Sequence, residues 1–301
     1  MSFPYITDIA NALLGTHWAL PIPTFGVVVA AAILIATSLA RMETKRLEAI
    51  GKLPLRTHLV VADLALVSAL AGIIGARVFY IIDHPFQFIA DPTALIFSRA
   101  GFSIYGGLSF GVCAGVVFLR RHAVPIAPML DATAPSMMLG YGVGRLGCQL
   151  AGDGDWGIAS DLALKPNWFP DWLWAQTYDG NIVGAVIPPP GVYPTPIYEF
   201  AAAFILFVAL LALRSEVQRP AYLFSVYLIF AGFERLLIEK IRINPEHDWL
   251  GLRLTQAEAI SVFVIVAGLV GVLLTLHGRS PWTRVLLALG VATATSACVP
   301  L

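Results

Sequence analysis

Long apolar runs separated by short polar stretches dominate this chain, and most of them approach the twenty or so residues that span a bilayer as a helix. The predicted spans are Phe25 to Ala40, Leu59 to Ile82, Ile104 to Leu119, Met129 to Leu150, Ile197 to Leu213, Ala221 to Ile241, Ala257 to Leu276 and Val285 to Ala297. The pattern predicts an all-α fold: a polytopic membrane helix bundle of seven to eight transmembrane helices, forming one membrane domain over residues 1–301.

Composition agrees with this class of protein. Hydrophobic residues make up 58% of the 301 residues and charged residues 13%, more apolar than a soluble core of this size needs. The formal net charge of zero leaves no basic surface for a phosphate chain, so we expect no nucleic-acid partner. Three scattered cysteines are too few for a disulfide framework or a zinc site.

The distribution of basic residues between the loops predicts the orientation of the chain. Cytoplasmic loops are enriched in lysine and arginine, and the loops after spans one, three, five and seven carry most of these residues here. They are Arg41, Lys45, Arg46, Lys52, Arg56, Arg120, Arg121, Arg214, Arg219, Arg279 and Arg284. The N-terminus is therefore expected outside, and residues 151–196, called the head segment below, are expected to form a small extracytoplasmic head. The predicted location is a bacterial cytoplasmic (inner) membrane.

Several ionisable residues fall inside the apolar runs, where each needs a partner or a wet cavity. They are Arg77, Asp131, Arg145, Glu199, Glu234, Arg235 and Glu239. Arg145 has no acid three or four residues before it, and the nearest acids, Asp153 and Asp155, follow in a glycine-rich turn. This pattern favours an anionic partner at Arg145, either a phosphate-bearing lipid or a carboxylate.

A second pair of charges has two interpretations. Arg235 and Glu239 are four residues apart, so they share one helical face and can pair. They either neutralise each other to fasten helices or contribute to the same site as Arg145.

Five motifs carry a resemblance to a known family. GARVFYIIDHPFQFIADP, SIYGGLSFG, GRLGCQLAGDGDWG, PTPIYEF and FERLLIEKIRINPEH occur in this order between about Ala71 and Ile265. In these motifs the chain resembles the bacterial prolipoprotein diacylglyceryl transferase family. The resemblance implies transfer of a diacylglyceryl group from phosphatidylglycerol to the lipobox cysteine of a prolipoprotein signal peptide, with release of glycerol phosphate. It also implies that the reaction uses neither a metal nor a cofactor.

The resemblance also implies roles for particular residues. Arg145 matches the phospholipid-binding arginine of the family and Arg235 its second essential arginine. Glu199 and Asp153 match acidic positions, where a carboxylate either holds an arginine in place or takes the proton from the thiol. Guanidinium groups suit this chemistry because they can accept the charge that develops on a departing phosphate. The predicted catalytic set is Arg145, Arg235, Tyr105, Glu199 and Asp153, and the predicted substrate-binding set is Arg145, Arg77, Gly147, Cys148 and Gly157.

Three departures from the family pattern concern proton transfer. Tyr105 stands where the family has histidine, Cys148 replaces an asparagine, and the GDGDWG turn carries one extra residue. Tyrosine ionises at a pKa of about 10, so it is a poor base unless a cation lies close. Two interpretations stay open. Tyr105 contacts the lipid donor or the acceptor thiol, and His84 serves as the base.

These departures leave two other classes of function open. One is a related transferase with a different acceptor, and the other is a non-catalytic lipid-binding or transport protein.

The C-terminal extension, residues 278–301, has two readings of its own. The segment resembles a lipoprotein signal, because it has a basic start, an apolar run and the sequence TSAC. In this interpretation Cys298 is itself a modified cysteine. The alternative, which the pattern favours, is a short eighth span or a pseudo-signal, because Thr295 stands where an aliphatic residue is usual.

Overall fold

The computed structural model describes residues 2–97, 101–215, 219–249 and 252–277. Within them it is mainly helical, with two short strands. The helices are α1 (Ile6–Leu14), α2 (Thr24–Ala49), α3 (Val61–Asp83), α4 (Pro85–Ala90), α5 (Pro92–Phe97), α6 (Ile104–Arg121), α7 (Ile126–Ala151), α8 (Asp171–Trp174), α9 (Thr195–Leu213), α10 (Tyr222–Glu239) and α11 (Gln256–Leu276). The strands β1 (Glu246–Trp249) and β2 (Leu252–Thr255) pair antiparallel, with His247 opposite Leu254.

Among the described residues, five helices are long and apolar enough to cross a membrane: α2, α3, α6, α9 and α11. The predicted spans from Met129 and from Ala221 are also helices, α7 and α10, but these two carry several of the ionisable residues. Their membrane crossing, and hence the count of seven to eight spans, stays a prediction. The predicted eighth span and Cys298 lie outside the described residues.

The described residues fall into two compact units, one built from residues up to Leu39 together with those from Thr133, the other from Ala40–Ala132. In the first unit α10 packs on α11 through two glycines. A Cβ at Gly232 would lie 2.8 Å from the Ser261 carbonyl oxygen, and one at Gly268 2.7 Å from the Ser225 carbonyl oxygen. Glycine is therefore needed at both positions for this close helix crossing.

The buried core of the first unit lies beside that crossing. Ala134, Met138, Ala203, Leu210, Leu223 and Val226 form it, from helices α7, α9 and α10. These three helices also carry the polar side chains of the candidate site, so the core holds them at fixed positions.

The second unit packs α3 against α6 at another glycine contact. A Cβ at Gly75 would lie 2.5 Å from the Gly106 carbonyl oxygen, so a larger residue there would force the helices apart. A cluster of buried apolar residues, including Leu47, Val116 and Met129, forms its core.

Most of the head segment folds as loops, within the first unit. Three isolated bridges order it, Ala159 with Val192, Gln176 with Val192, and Gly157 with Arg242. Tyr178 is fully buried and packs its ring 5.0 Å from that of Trp156. The bridge to Arg242 ties the start of the head segment to the chain that follows α10, which positions the candidate site.

Candidate functional site

Three arginines in the first unit converge on one carboxylate, that of Glu199. Glu199 lies in α9 and has no exposed surface. Its Oε2 is 3.0 Å from Nε of Arg145, and its Oε1 is 3.2 Å from Nη1 of Arg242 and 3.6 Å from Nη1 of Arg235. A buried carboxylate is strongly unfavourable without partners, and the three guanidiniums are partners that stabilise the charged form of Glu199.

Arg145 reaches this carboxylate from the last turns of α7. Its Nη1 also forms an ion pair with Oδ2 of Asp155, and its guanidinium lies 5.0 Å from the ring centre of Tyr141. Arg145 therefore contacts two acids at once through different nitrogens, a geometry that the planar guanidinium provides.

Arg235 enters the same network from α10. The prediction that it can pair with Glu239 is confirmed, because its Nη2 lies 2.7 Å from Oε2 of Glu239. Asn244 donates to the other oxygen of Glu239 at 2.8 Å. Nη1 of Arg235, in contrast, is buried and makes no well-formed hydrogen bond within the part of the chain that the structure describes. A buried cationic donor whose nearest carboxylate oxygen, Oε1 of Glu199, lies beyond hydrogen-bond distance at 3.6 Å suits a site that receives an anion.

Arg242 is the member of the network that the sequence analysis missed. Its side chain is 9% exposed and forms two ion pairs, at 3.2 Å to Glu199 and at 2.5 Å to Oδ1 of Asp155. Backbone contacts hold it there, since Gly157 bridges Arg242 and the Ile158 amide donates to the Ile241 carbonyl at 2.8 Å. The apolar-run criterion could not find Arg242, because it follows the end of α10; the only signal was its place in the FERLLIEKIRINPEH motif.

Asp155 joins Arg145 to Arg242. Burial alone would raise the pKa of Asp155, but the guanidiniums of Arg242 and Arg145 outweigh burial and hold that pKa below its usual range. The carboxylate is therefore charged at neutral pH. The Thr195 hydroxyl, which donates to the Asp155 carbonyl oxygen at 2.7 Å, fixes the backbone at this point.

Asp153, the acid that the resemblance selects, occupies a different position. Its Oδ1 accepts the Asp155 amide at 3.3 Å, and the ion pairs described for Arg145, Arg235 and Arg242 involve Asp155, Glu199 and Glu239 instead. The role of Asp153 in orienting the arginines thus stays a prediction, while Asp155 has the contacts that such a role requires.

Cys148 is buried close to these acids. One ligand atom from each of Cys148, Asp153 and Asp155 lies within 4.8 Å of the others. The guanidiniums of Arg145 and Arg242 already pair with Asp155, and their positive charge disfavours the binding of a metal cation to the same carboxylate.

The two glycines of the predicted substrate-binding set have packing roles. A Cβ at Gly147 would lie 3.3 Å from side-chain atoms of Phe25 and Val28 on α2, and one at Gly157 would lie 2.5 Å from the Ile241 carbonyl oxygen. Both glycines allow a close approach of backbone, and Gly157 thereby helps to place Arg242. Whether either contacts substrate stays a prediction.

Tyr105, Arg77 and His84 belong to the second unit, which is described by itself. Tyr105 is in the first turn of α6 and is 44% exposed. Arg77 donates to the carbonyls of Leu95 at 3.2 Å and Gly101 at 3.0 Å, which holds the chain on either side of the α5–α6 connection. Nδ1 of His84 lies 3.0 Å from the Tyr80 carbonyl at the end of α3.

The apolar helices define a multi-pass helical membrane protein, and its first unit contains a buried network of arginines and carboxylates. A model of the prolipoprotein diacylglyceryl transferase family matches residues 13–274. The chain belongs to this family, whose members are transferase enzymes.

Curated relatives agree with this assignment. Over 247 residues, 81% of this chain and 85% of the relative, the chain is 30% identical to a phosphatidylglycerol–prolipoprotein diacylglyceryl transferase of Bacillus cereus (strain G9842). It is 29% identical, with the same coverage, to proteins of that name from Bacillus cereus (strain 03BB102) and Bacillus thuringiensis subsp. konkukian (strain 97-27).

Proposed function

We propose that this protein transfers the diacylglyceryl group of phosphatidylglycerol to the lipobox cysteine thiol of prolipoproteins and releases glycerol phosphate. The observation that carries the proposal is the convergence of Arg145 and Arg235 on Glu199, which brings two guanidiniums near one another in a largely buried place. A phosphodiester needs such a place, because its charge must be matched as it leaves water.

The reaction exchanges one bond for another at a glycerol carbon of the diacylglyceryl group. The acceptor sulfur forms a C–S bond to this carbon while the C–O bond to phosphate breaks. The electron pair of that bond leaves with the phosphate oxygen. The proton that the thiol loses is taken up by the released glycerol phosphate. Arg145 and Arg235 stabilise the charge that grows on the leaving oxygen.

Carboxylates place these arginines before the lipid arrives. Glu199 contacts both guanidiniums, and Asp155 pairs with Nη1 of Arg145 and also with Arg242. Nη1 of Arg235, which lies 3.6 Å from Oε1 of Glu199 but makes no hydrogen bond within the described residues, is then the donor best suited to a phosphate oxygen. Tyr105 is proposed to contact donor or thiol.

The proposed setting is a bacterial inner membrane. The distribution of basic residues supports an external N-terminus and an external head segment, so Arg145, near the end of α7, would meet lipid of the outer leaflet. Lipid and prolipoprotein signal peptide would both reach the site from the membrane.

Reconstitution tests the activity directly. The purified protein in phosphatidylglycerol vesicles is expected to convert a synthetic signal peptide carrying a lipobox cysteine into a thioether product, with one glycerol phosphate released per peptide. Mass spectrometry of the peptide and assay of glycerol phosphate give the two readouts. Glycerol phosphate release without peptide modification would indicate a different acceptor, and lipid binding without release would indicate a non-catalytic protein; either result contradicts the proposal.

The two neighbouring acids of the glycine-rich turn give a matched pair of variants. Asp155→Asn is expected to lower turnover roughly 10- to 100-fold, because Arg145 and Arg242 lose the charge that places them, whereas Asp153→Asn is expected to change turnover less than about threefold. Both variants remove one carboxylate from the same turn, so insertion and folding costs are similar. Equal losses in the two variants would mean that the ion pairs of Asp155 do not place the arginines.

A further inference from the structure

A cavity of about 470 Å³ opens between the head segment and residues at the end of α7 and the start of α9. Its lining includes Gln149, Trp172, Gln176, Thr177, Pro190 and Ile197. This volume lies within the range of ligand-binding pockets, about 300 to 1,000 Å³. The mechanism described above uses none of these side chains.

The cavity adjoins the site through helix α7. Gln149 follows Arg145 by four residues on α7, which puts the two side chains on one face about 6 Å apart along the axis. Ile197, which also lines the cavity, lies two residues before Glu199 at the start of α9 and so on the opposite face of that helix. In the proposed orientation Gln149 is farther from the membrane than Arg145, since α7 ends at Ala151.

Carboxamide groups in the cavity are held in fixed positions. Gln149 donates from Nε2 to Oε1 of Gln176 at 2.7 Å and accepts from the Tyr178 hydroxyl at 2.7 Å. Gln176 in turn donates to the Trp172 carbonyl oxygen at 2.7 Å. Such anchored amides beside an indole and a proline offer both hydrogen bonds and an apolar surface at little entropic cost.

The charge of the lining excludes an anionic headgroup as the natural occupant. None of the residues that line the cavity is ionisable, whereas the arginines that suit phosphate lie beside it. A neutral chain with many amide groups fits this lining better. In the proposed reaction the acceptor thiol lies near Arg145, the apolar part of the signal peptide lies in the membrane, and the residues after the cysteine must continue outward.

We propose that this cavity binds the first few residues that follow the lipobox cysteine of the acceptor and thereby places its thiol at the lipid. This proposal rests on the proposed function. The cavity residues select and position the acceptor, while the arginine network binds the donor.

Two synthetic acceptors test the proposal with the full-length protein in phosphatidylglycerol vesicles. One peptide ends at the lipobox cysteine as an amide, and the other extends four residues beyond it. For the wild type we expect a KM roughly tenfold lower for the longer peptide. Trp172→Ala and Thr177→Val are expected to raise the KM for the longer peptide roughly five- to tenfold and to leave the KM of the short peptide and of phosphatidylglycerol unchanged.

A second exposed tryptophan of the head segment provides the control. Trp168 is 79% exposed and Trp172 61% exposed, and Trp168 does not line the cavity. Trp168→Ala is therefore expected to leave both KM values as in the wild type, which separates loss of the cavity wall from loss of an interfacial tryptophan.

Each other outcome overturns the docking proposal. Equal KM values of the wild type for the two peptides would show that the residues after the cysteine are not bound, although the transferase function would stand. A change confined to the KM for phosphatidylglycerol would assign the cavity to the glycerol headgroup. Absence of any thioether product with either peptide in the wild type would instead reject the proposed function, and the docking site with it.

Discussion

Replacing Arg145 with lysine is expected to lower turnover roughly 100- to 1,000-fold, although the positive charge is kept. Arg145 uses Nε toward Glu199 and Nη1 toward Asp155, so its orientation depends on two nitrogens held in one plane. A lysine ammonium is a single point that cannot contact both acids and a phosphate oxygen in the same geometry. Loss of one donor aimed at developing charge typically costs a factor of this size.

The measurement is kcat and KM for phosphatidylglycerol, with the thioether peptide quantified by mass spectrometry. Arg121→Lys is the matched control, because Arg121 is exposed at the end of α6 and its replacement keeps charge in the same way. We expect wild-type kinetics for this control. If Arg145→Lys turns over within a few-fold of the wild type, the planar arrangement of the guanidinium nitrogens is not used in the reaction.

The sequence predicts the apolar helices well because hydrophobic length is a local property. Helix α6 begins at Ile104, and helices α9 and α11 end at Leu213 and Leu276, as predicted. Helix α2, in contrast, extends past the predicted Ala40 to Ala49. The apolar run marks where the membrane-compatible surface ends, but the backbone hydrogen bonds of the helix continue through the charged residues that follow, some exposed, such as Arg41 and Lys45, and some buried, such as Glu43 and Glu48.

Elements with weak local signals were not predicted. Helix α1 and the β1–β2 pair lie in stretches that the sequence analysis left without regular structure, and both are short. Short elements of this kind depend on contacts made elsewhere in the fold more than on periodicity of their own residues.

Some residues of the candidate site could likewise be predicted from the sequence, whereas others could not. Arg145, Glu199 and Arg235 stand out in the sequence because charges inside apolar runs are costly. Arg242 and Asp155 lie outside those runs, and only the folded chain brings them to the same carboxylate network. The choice between Asp153 and Asp155 depends on a turn in which Gly152 and Gly154 both have positive φ, at 62° and 99°, and this backbone path decides which acid faces the arginines.

Glu199→Gln is expected to have the largest effect on stability, about 3 to 5 kcal/mol of the free energy of unfolding. Glu199 is fully buried and lies within 3.6 Å of three guanidiniums. A glutamine of the same shape removes the charge, so three arginines would share only Asp155 and Glu239. Repulsion among buried cations then opposes folding and displaces Arg145 and Arg235 from the positions that the reaction needs, so turnover is expected to fall with stability.

Thermal unfolding in detergent, compared between the variant and the wild type, measures this loss. Asp171→Asn is the control, since Asp171 is 94% exposed and pairs with Lys165 at 2.8 Å on the surface, where an ion pair contributes about 0 to 1 kcal/mol. Added phosphatidylglycerol is expected to stabilise Glu199→Gln more than the wild type, because its phosphate can replace the missing negative charge. If Glu199→Gln unfolds at the same temperature as the wild type, the three guanidiniums do not depend on this carboxylate, and the network cannot be what positions them for lipid.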